Sequence, residues 1–126
     1  MSRRTRYVVL VIQGAVIWAL AALCIRFAVS AGWHESGAAM ALVFALSVPA
    51  CALGIELNHR IVRGEPGELI RTAAVIALVG ALLDGLAIVW QPQIYSADPA
   101  ARAAGGAWLL WIVGTILAYG LIRDRR

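Results

Sequence analysis

The chain has 126 residues, 62% of them hydrophobic and 14% charged, with a formal net charge of +4. A soluble domain is nearer half apolar and a quarter charged. A mean hydropathy of +0.82 therefore excludes an ordinary water-soluble fold and leaves a bilayer as solvent for four long apolar runs. The basic balance does not point to nucleic acid, because the arginines sit at the ends of those runs, where they anchor to a membrane surface.

The expected architecture is all-α: one membrane domain over 1–126, with four transmembrane helices at about 7–29, 37–57, 69–90 and 106–122. The basic start and first apolar run look superficially like a signal peptide, but the run is longer than a typical signal core, so it reads as a retained first span. Tyr7 opens it at the interface, Gln13 and Trp18 lie inside it, and Arg26 lies near its far end. A polar turn, SAGWHES, follows, with Trp33 as an interfacial anchor and Ser36 as N-cap of the second span. Pro49 interrupts that span and Glu56 ends it. The polar stretch NHRIVRGEPGE comes next, with Pro66 as the first helical residue of span three. Gln91-Pro92-Gln93 stops the third span, and Asp98-Pro99 reads as an N-cap and first-turn proline ahead of the fourth.

All the basic residues are arginine, and nine of them fall on one side. Arg3, Arg4, Arg6, Arg60, Arg63, Arg71, Arg123, Arg125 and Arg126 are set against only Arg26 and Arg102. The positive-inside rule then predicts an up-down bundle with both termini cytoplasmic.

Asp84 lies well inside the third apolar run. At 100° per residue it shares a face with Ala73, Ala77, Gly80 and Ala87. The opposite face carries Val75, Leu78, Val79, Leu82, Leu86 and Val89. Small residues suit helix contact and bulky ones suit lipid, so the acid is expected on the packing side. A lone aspartate there costs ~2.5–3.5 kcal/mol on the insertion scale, so it calls for a partner. Arg26 is the candidate, at compatible depth when each residue is counted back from its span's outer end. The pair reads either as a structural pin or as part of an ionisable proton or cation site.

Other candidates carry less. Gln13 is expected to hydrogen-bond between helices. Trp108, Trp111, Thr115 and Tyr119 share one side of span four, as an aromatic belt or a groove. Glu56 and Glu68 are both candidate partners of Arg71. His34 and Glu35 would need Asp98 and more to bind metal, so no metal site is assigned. Cys24 and Cys51 differ in depth by ~15 Å, too far for a disulfide. No Ser-His-Asp set, phosphate loop or metalloprotease helix is present, so neither an enzyme nor a cofactor is predicted.

Trp18, Arg26-Phe27, Pro49 and Leu83-Asp84, with LLDGLAIVWQPQIYS followed by GAWLLW, carry a resemblance. The chain resembles a bacterial family of small four-helix inner-membrane proteins of undefined function. The cytoplasmic connection and the AARAAG stretch are longer here than that resemblance implies. It implies a bacterial inner-membrane location and no reaction. The chain also matches small multidrug transporters in size, but these carry an essential carboxylate in span one, where this chain has Gln13. The signature asparagine and Gly-Arg patterns of dimeric fluoride channels are missing. The leading expectation is a small membrane protein with an accessory, interaction or small-cargo role, surrounded by lipid and partnered by a second copy or another membrane protein. The alternative is a proton-coupled transporter acting as a homodimer, with Asp84 as its ionisable site.

Overall fold

The structure is a computed structural model and describes residues 1–125. Arg126, counted above among the arginines of the cytoplasmic side, lies outside the described residues. The chain is all-α, with four long helices: α1 (Arg3–Ser30), α2 (Gly37–Ile61), α3 (Leu69–Trp90) and α4 (Pro99–Asp124). Short 3-10 turns, Trp33–Glu35 and Pro92–Ile94, link α1 to α2 and α3 to α4. Each helix is long and apolar enough to cross a membrane. Large apolar side chains face outward, among them Phe27 (74% exposed), Leu53 (73%) and Leu110 (76%). In water such a surface would be prohibitive; in hydrocarbon it costs nothing. This is a small multi-pass membrane protein.

The helix ends follow from local chemistry. Ser36 caps α2 by accepting from the Ala39 amide at 3.3 Å. Asp98 caps α4 through the Ala100 and Ala101 amides, with Pro99 at the first helical position. From Pro99, α4 runs unbroken through Gly105-Gly106 and so begins seven residues before the expected span at 106. The start of α3 departs from expectation. Pro66 lies in the preceding turn and the helix begins at Leu69. Glu68 makes no capping bond. Instead, Asp124 at the end of α4 accepts from the Leu69 and Ile70 amides at 3.1 and 2.8 Å. A carboxylate from the last turn of one helix thereby answers the unsatisfied amides and positive dipole end of another.

Helix α3 is central and packs against all three others; α4 also packs on α2, whereas α1 and α2 barely touch. Arg6 meets Glu68 and Trp18 meets Asp84, so α1 and α3 run in the same direction. Phe44 meets Trp111 and Glu56 meets Tyr119, so α2 and α4 also run together. Glycine sets two of the close approaches. A Cβ on Gly14 of α1 would stand 2.9 Å from Val79 Cβ, and one on Gly120 of α4 would stand 2.9 Å from Ile70 Cα. This is the small-residue mode of helix contact, in which backbones approach because no side chain intervenes.

The face of α3 divides nearly as its helical phase predicts. Thr72, Ala73, Ile76, Ala77 and Ala87 are buried, while Leu78, Leu82, Leu86 and Val89 are exposed. Val75 and Val79, expected to face lipid, are half-buried: Val79 lies under Gly14 of α1, and Val75 packs against the core cluster that includes Leu10 and Ile76. Helix α2 stays helical through Pro49. Near it, the Phe44 carbonyl accepts from Ser47 Oγ at 2.7 Å and from Trp111 Nε1 at 3.0 Å. The carbonyl that Pro49 leaves without an amide donor is that of Ala45, the next residue.

Candidate functional site around Asp84

Asp84 is half-buried on α3, facing α1, and Arg26 is not its partner. Among the described residues the ion pairs are Arg6–Glu68, Arg71–Glu68 and Arg123–Glu56, and the His34 ring approaches Asp98. Arg26 enters none of them and is exposed. Register explains why. Arg6 to Glu68 is an offset of 62 residues and Trp18 to Asp84 one of 66. The same register sets Arg26 level with the end of α3, about eight residues, or ~12 Å, beyond Trp18.

Two neutral donors take the place of the arginine. Trp18 Nε1 donates to Asp84 Oδ1 at 2.8 Å, and the Tyr95 hydroxyl donates to the same oxygen at 2.5 Å. Trp18 Nε1 also lies 3.3 Å from the Tyr95 oxygen, closing a three-membered cluster. Asp84 Oδ2 receives no hydrogen bond from the described residues. Tyr95 reaches this position because the 3-10 turn after α3 folds back. The Gln91 carbonyl accepts from the Ile94 amide and the Pro92 carbonyl from that of Tyr95. Tyr95 is only 4% exposed. From this buried position its hydroxyl donates to Asp84.

Neither Trp18 nor Tyr95 was assigned a role in the chemistry above. Trp18 stood out as an aromatic inside a span, and both it and Tyr95, in LLDGLAIVWQPQIYS, only as part of the resemblance. Buried indole and phenol groups need hydrogen-bond partners, and the unpaired acid on the neighbouring helix was the signal that could have linked them.

A recess of about 360 Å³ opens beside this cluster, lined by Ile88, Pro92, Tyr95, Arg102, Gly106 and Leu109. Tyr95 thus has its ring in the wall of the recess and its hydroxyl on Asp84.

The remaining candidates scatter. Gln13 is half-buried, but its Oε1 is sealed off with no donor, so the expected interhelical bond is not formed. It is not bonded to the Asp84 cluster. The four side chains of α4 do not make one groove. Trp108 packs edge-on against buried Trp33, ring centres 6.0 Å apart, and both indole nitrogens lack acceptors. Trp111 turns to α2, stacking on Phe44 and donating to its carbonyl. Tyr119 donates to Glu56 at 2.9 Å, and Thr115 makes no side-chain hydrogen bond among the described residues. Of that set only Trp108 lines the large apolar groove of about 570 Å³ that opens where α1 and α2 fail to meet. Cys24 and Cys51 both line this groove as free thiols.

At the other end of the bundle Glu68 bridges Arg6 and Arg71, while Glu56 takes Arg123 and Tyr119. Arg71 therefore pairs with Glu68 and not with Glu56. His34 and Asp98 do meet, Nε2 to Oδ2 at 3.6 Å, and no group of three His, Cys, Asp or Glu side chains gathers among the described residues.

No curated protein and no solved structure matches the chain. One family model does, over residues 33–126, well over half of the sequence and including Asp84, Tyr95 and Arg102. Trp18 falls outside that matched region. The chain belongs to the family of unknown function DUF5367.

Proposed function

We propose that the protein is a bacterial inner-membrane protein that moves a small cargo with a proton exchanged at Asp84. It spans the bilayer four times, up and down, with both termini in the cytoplasm. Nine arginines against two support that orientation. The shared direction of α1 with α3, and of α2 with α4, supports the up-down order. Asp84, Tyr95 and the adjoining recess then lie in the outer half of the membrane.

One observation carries the reading: a carboxylate inside a span is held by two neutral donors on one oxygen, with no cation beside it. An arginine would have neutralised the charge permanently and left a structural pin. Trp18 and Tyr95 orient the carboxylate and leave its charge to be answered by a proton or a cargo. An intramembrane acid without a permanent counter-ion is the usual mark of such a site. The accessory reading rests on a different feature, the apolar groove between α1 and α2, and does not use Asp84.

Infrared difference spectroscopy on the purified protein in lipid tests the proposal. Acidification should raise a protonated-carboxyl band that Asp84→Asn removes. If that band survives in Asp84→Asn, another group exchanges the proton and the reading fails.

A further inference from the structure

The recess beside Tyr95 combines features that belong together in a ligand site. Its volume, about 360 Å³, falls within the ~300–1,000 Å³ of small-molecule pockets. Most of its wall is apolar: Ile88, Pro92 and Leu109, with the Tyr95 ring. Its one cation is Arg102, which is half-buried. The guanidinium of Arg102 makes no ion pair and no hydrogen bond with any described residue. Asp98, one turn earlier, is already committed, accepting from two α4 amides and facing His34. Arginine next to apolar surface ordinarily extends to water. Here Arg102 lines a recess, and its guanidinium has no bonded acceptor among the described residues.

We propose that this recess binds a small organic carboxylate, its charge held by Arg102 and its apolar body resting on Ile88, Pro92 and Leu109. A planar guanidinium matches a carboxylate through two parallel hydrogen bonds. The apolar wall selects a molecule with a hydrocarbon or aromatic body over an inorganic anion. A bound anion and the charge on Asp84 then lie on either side of the Tyr95 phenol, where each is felt by the other. The inference rests on the Asp84 reading for that coupling alone; the binding site stands on its own geometry.

Gly106 provides a clean perturbation. It lines the recess, and a Cβ added there meets no atom within 4 Å. Gly106→Leu therefore adds bulk to the recess from a position where a Cβ is unobstructed, and Arg102→Gln removes the charge while keeping a polar side chain.

The test is equilibrium binding of radiolabelled benzoate to the purified full chain in detergent, with benzamide as the uncharged competitor. Both variants should keep the wild-type elution profile and unfolding midpoint. Benzoate should bind the wild type saturably, at least tenfold more weakly after Arg102→Gln, and not measurably after Gly106→Leu. Benzamide should not compete, and Asp84→Asn should still bind benzoate. Absence of saturable binding to folded wild type overturns the proposal. So does equal binding by Arg102→Gln, or competition by benzamide as strong as by unlabelled benzoate. Loss of binding in Asp84→Asn with Arg102→Gln unaffected would place the carboxylate elsewhere and overturn it too. Because Asp84→Asn is expected to retain binding, failure of the proton reading and failure of this site give different results.

Discussion

Replacing Trp18 by Phe keeps an aromatic ring in α1 and removes one N–H. Two contacts are lost: the 2.8 Å bond to Asp84 and the longer 3.3 Å approach to the Tyr95 oxygen. A hydrogen bond to a charged group is worth ~1.5–3 kcal/mol and one between neutral groups ~0.5–1.5 kcal/mol. Bonds between membrane helices run smaller, averaging ~0.6 kcal/mol, because the unfolded chain in lipid also finds partners. For a carboxylate left with Tyr95 as its only donor, we expect a loss of about 1–2 kcal/mol. The ring also shrinks, and that part of the loss has nothing to do with Asp84. Repeating the substitution in an Asp84→Leu background separates the two. The hydrogen-bond share disappears there, whereas the packing share remains. Reversible unfolding in mixed micelles, read by circular dichroism, supplies the four stabilities. Coupling between Trp18 and Asp84 should reach at least ~0.5 kcal/mol, the lower end for residues in contact. Coupling within error of zero would refute the cluster as an energetic unit.

Three further outcomes follow from the same contacts. Arg26→Ala should change unfolding stability by no more than ~0.5 kcal/mol, the scale of an exposed site, whereas a broken buried ion pair would cost ~3–5 kcal/mol. Gly14→Ala should destabilise by ~1–3 kcal/mol, as overpacked cores do, because its Cβ meets Val79 at 2.9 Å; the same unfolding assay measures it. Asp124→Ala should cost ~0.5–2 kcal/mol, the range of a lost helix cap. Hydrogen exchange should then speed up at the Leu69 and Ile70 amides, which Asp124 now holds.

Much of the fold was legible because the bilayer imposes it. A span must be apolar for ~20 residues, and that pattern is carried by composition without reference to tertiary contacts. The N-caps at Ser36 and Asp98 were legible for a similar reason: a cap is a local bond within three residues. The cap of α3 was not, since Asp124 lies 55 residues from Leu69. Gln13 marks another limit. Its polarity predicted a partner, but no helical phase reveals whether a donor stands opposite, and none does. The aromatic side of α4 failed differently. Trp108, Trp111 and Tyr119 share a side, yet α4 sits between neighbours, so one ring turns to Trp33 and the others to α2.

The Arg26 error is the most informative, because the packing face of Asp84 was read correctly while its partner was placed at the wrong depth. Counting back from each span's end treats all the ends as level. They are not: α1 ends at Ser30, and the offset of about 65 that aligns Trp18 with Asp84 and Gly14 with Val79 would align Ser30 with residue 95. Helix α3 stops at Trp90. Helix α1 therefore overshoots α3 by about five residues, or ~7 Å, and carries Arg26 past the acid. The space left above the end of α3 is where the return turn folds in and brings Tyr95 down onto Asp84. A shorter α3 thus has two linked consequences. It removes the permanent counter-ion from the carboxylate, and it admits a loop whose phenol connects that carboxylate to the recess holding Arg102. Asp84 and Arg102 are in this way separated by a tyrosine instead of being joined. On the proposed reading, that separation leaves Asp84 to a proton and Arg102 to a bound carboxylate.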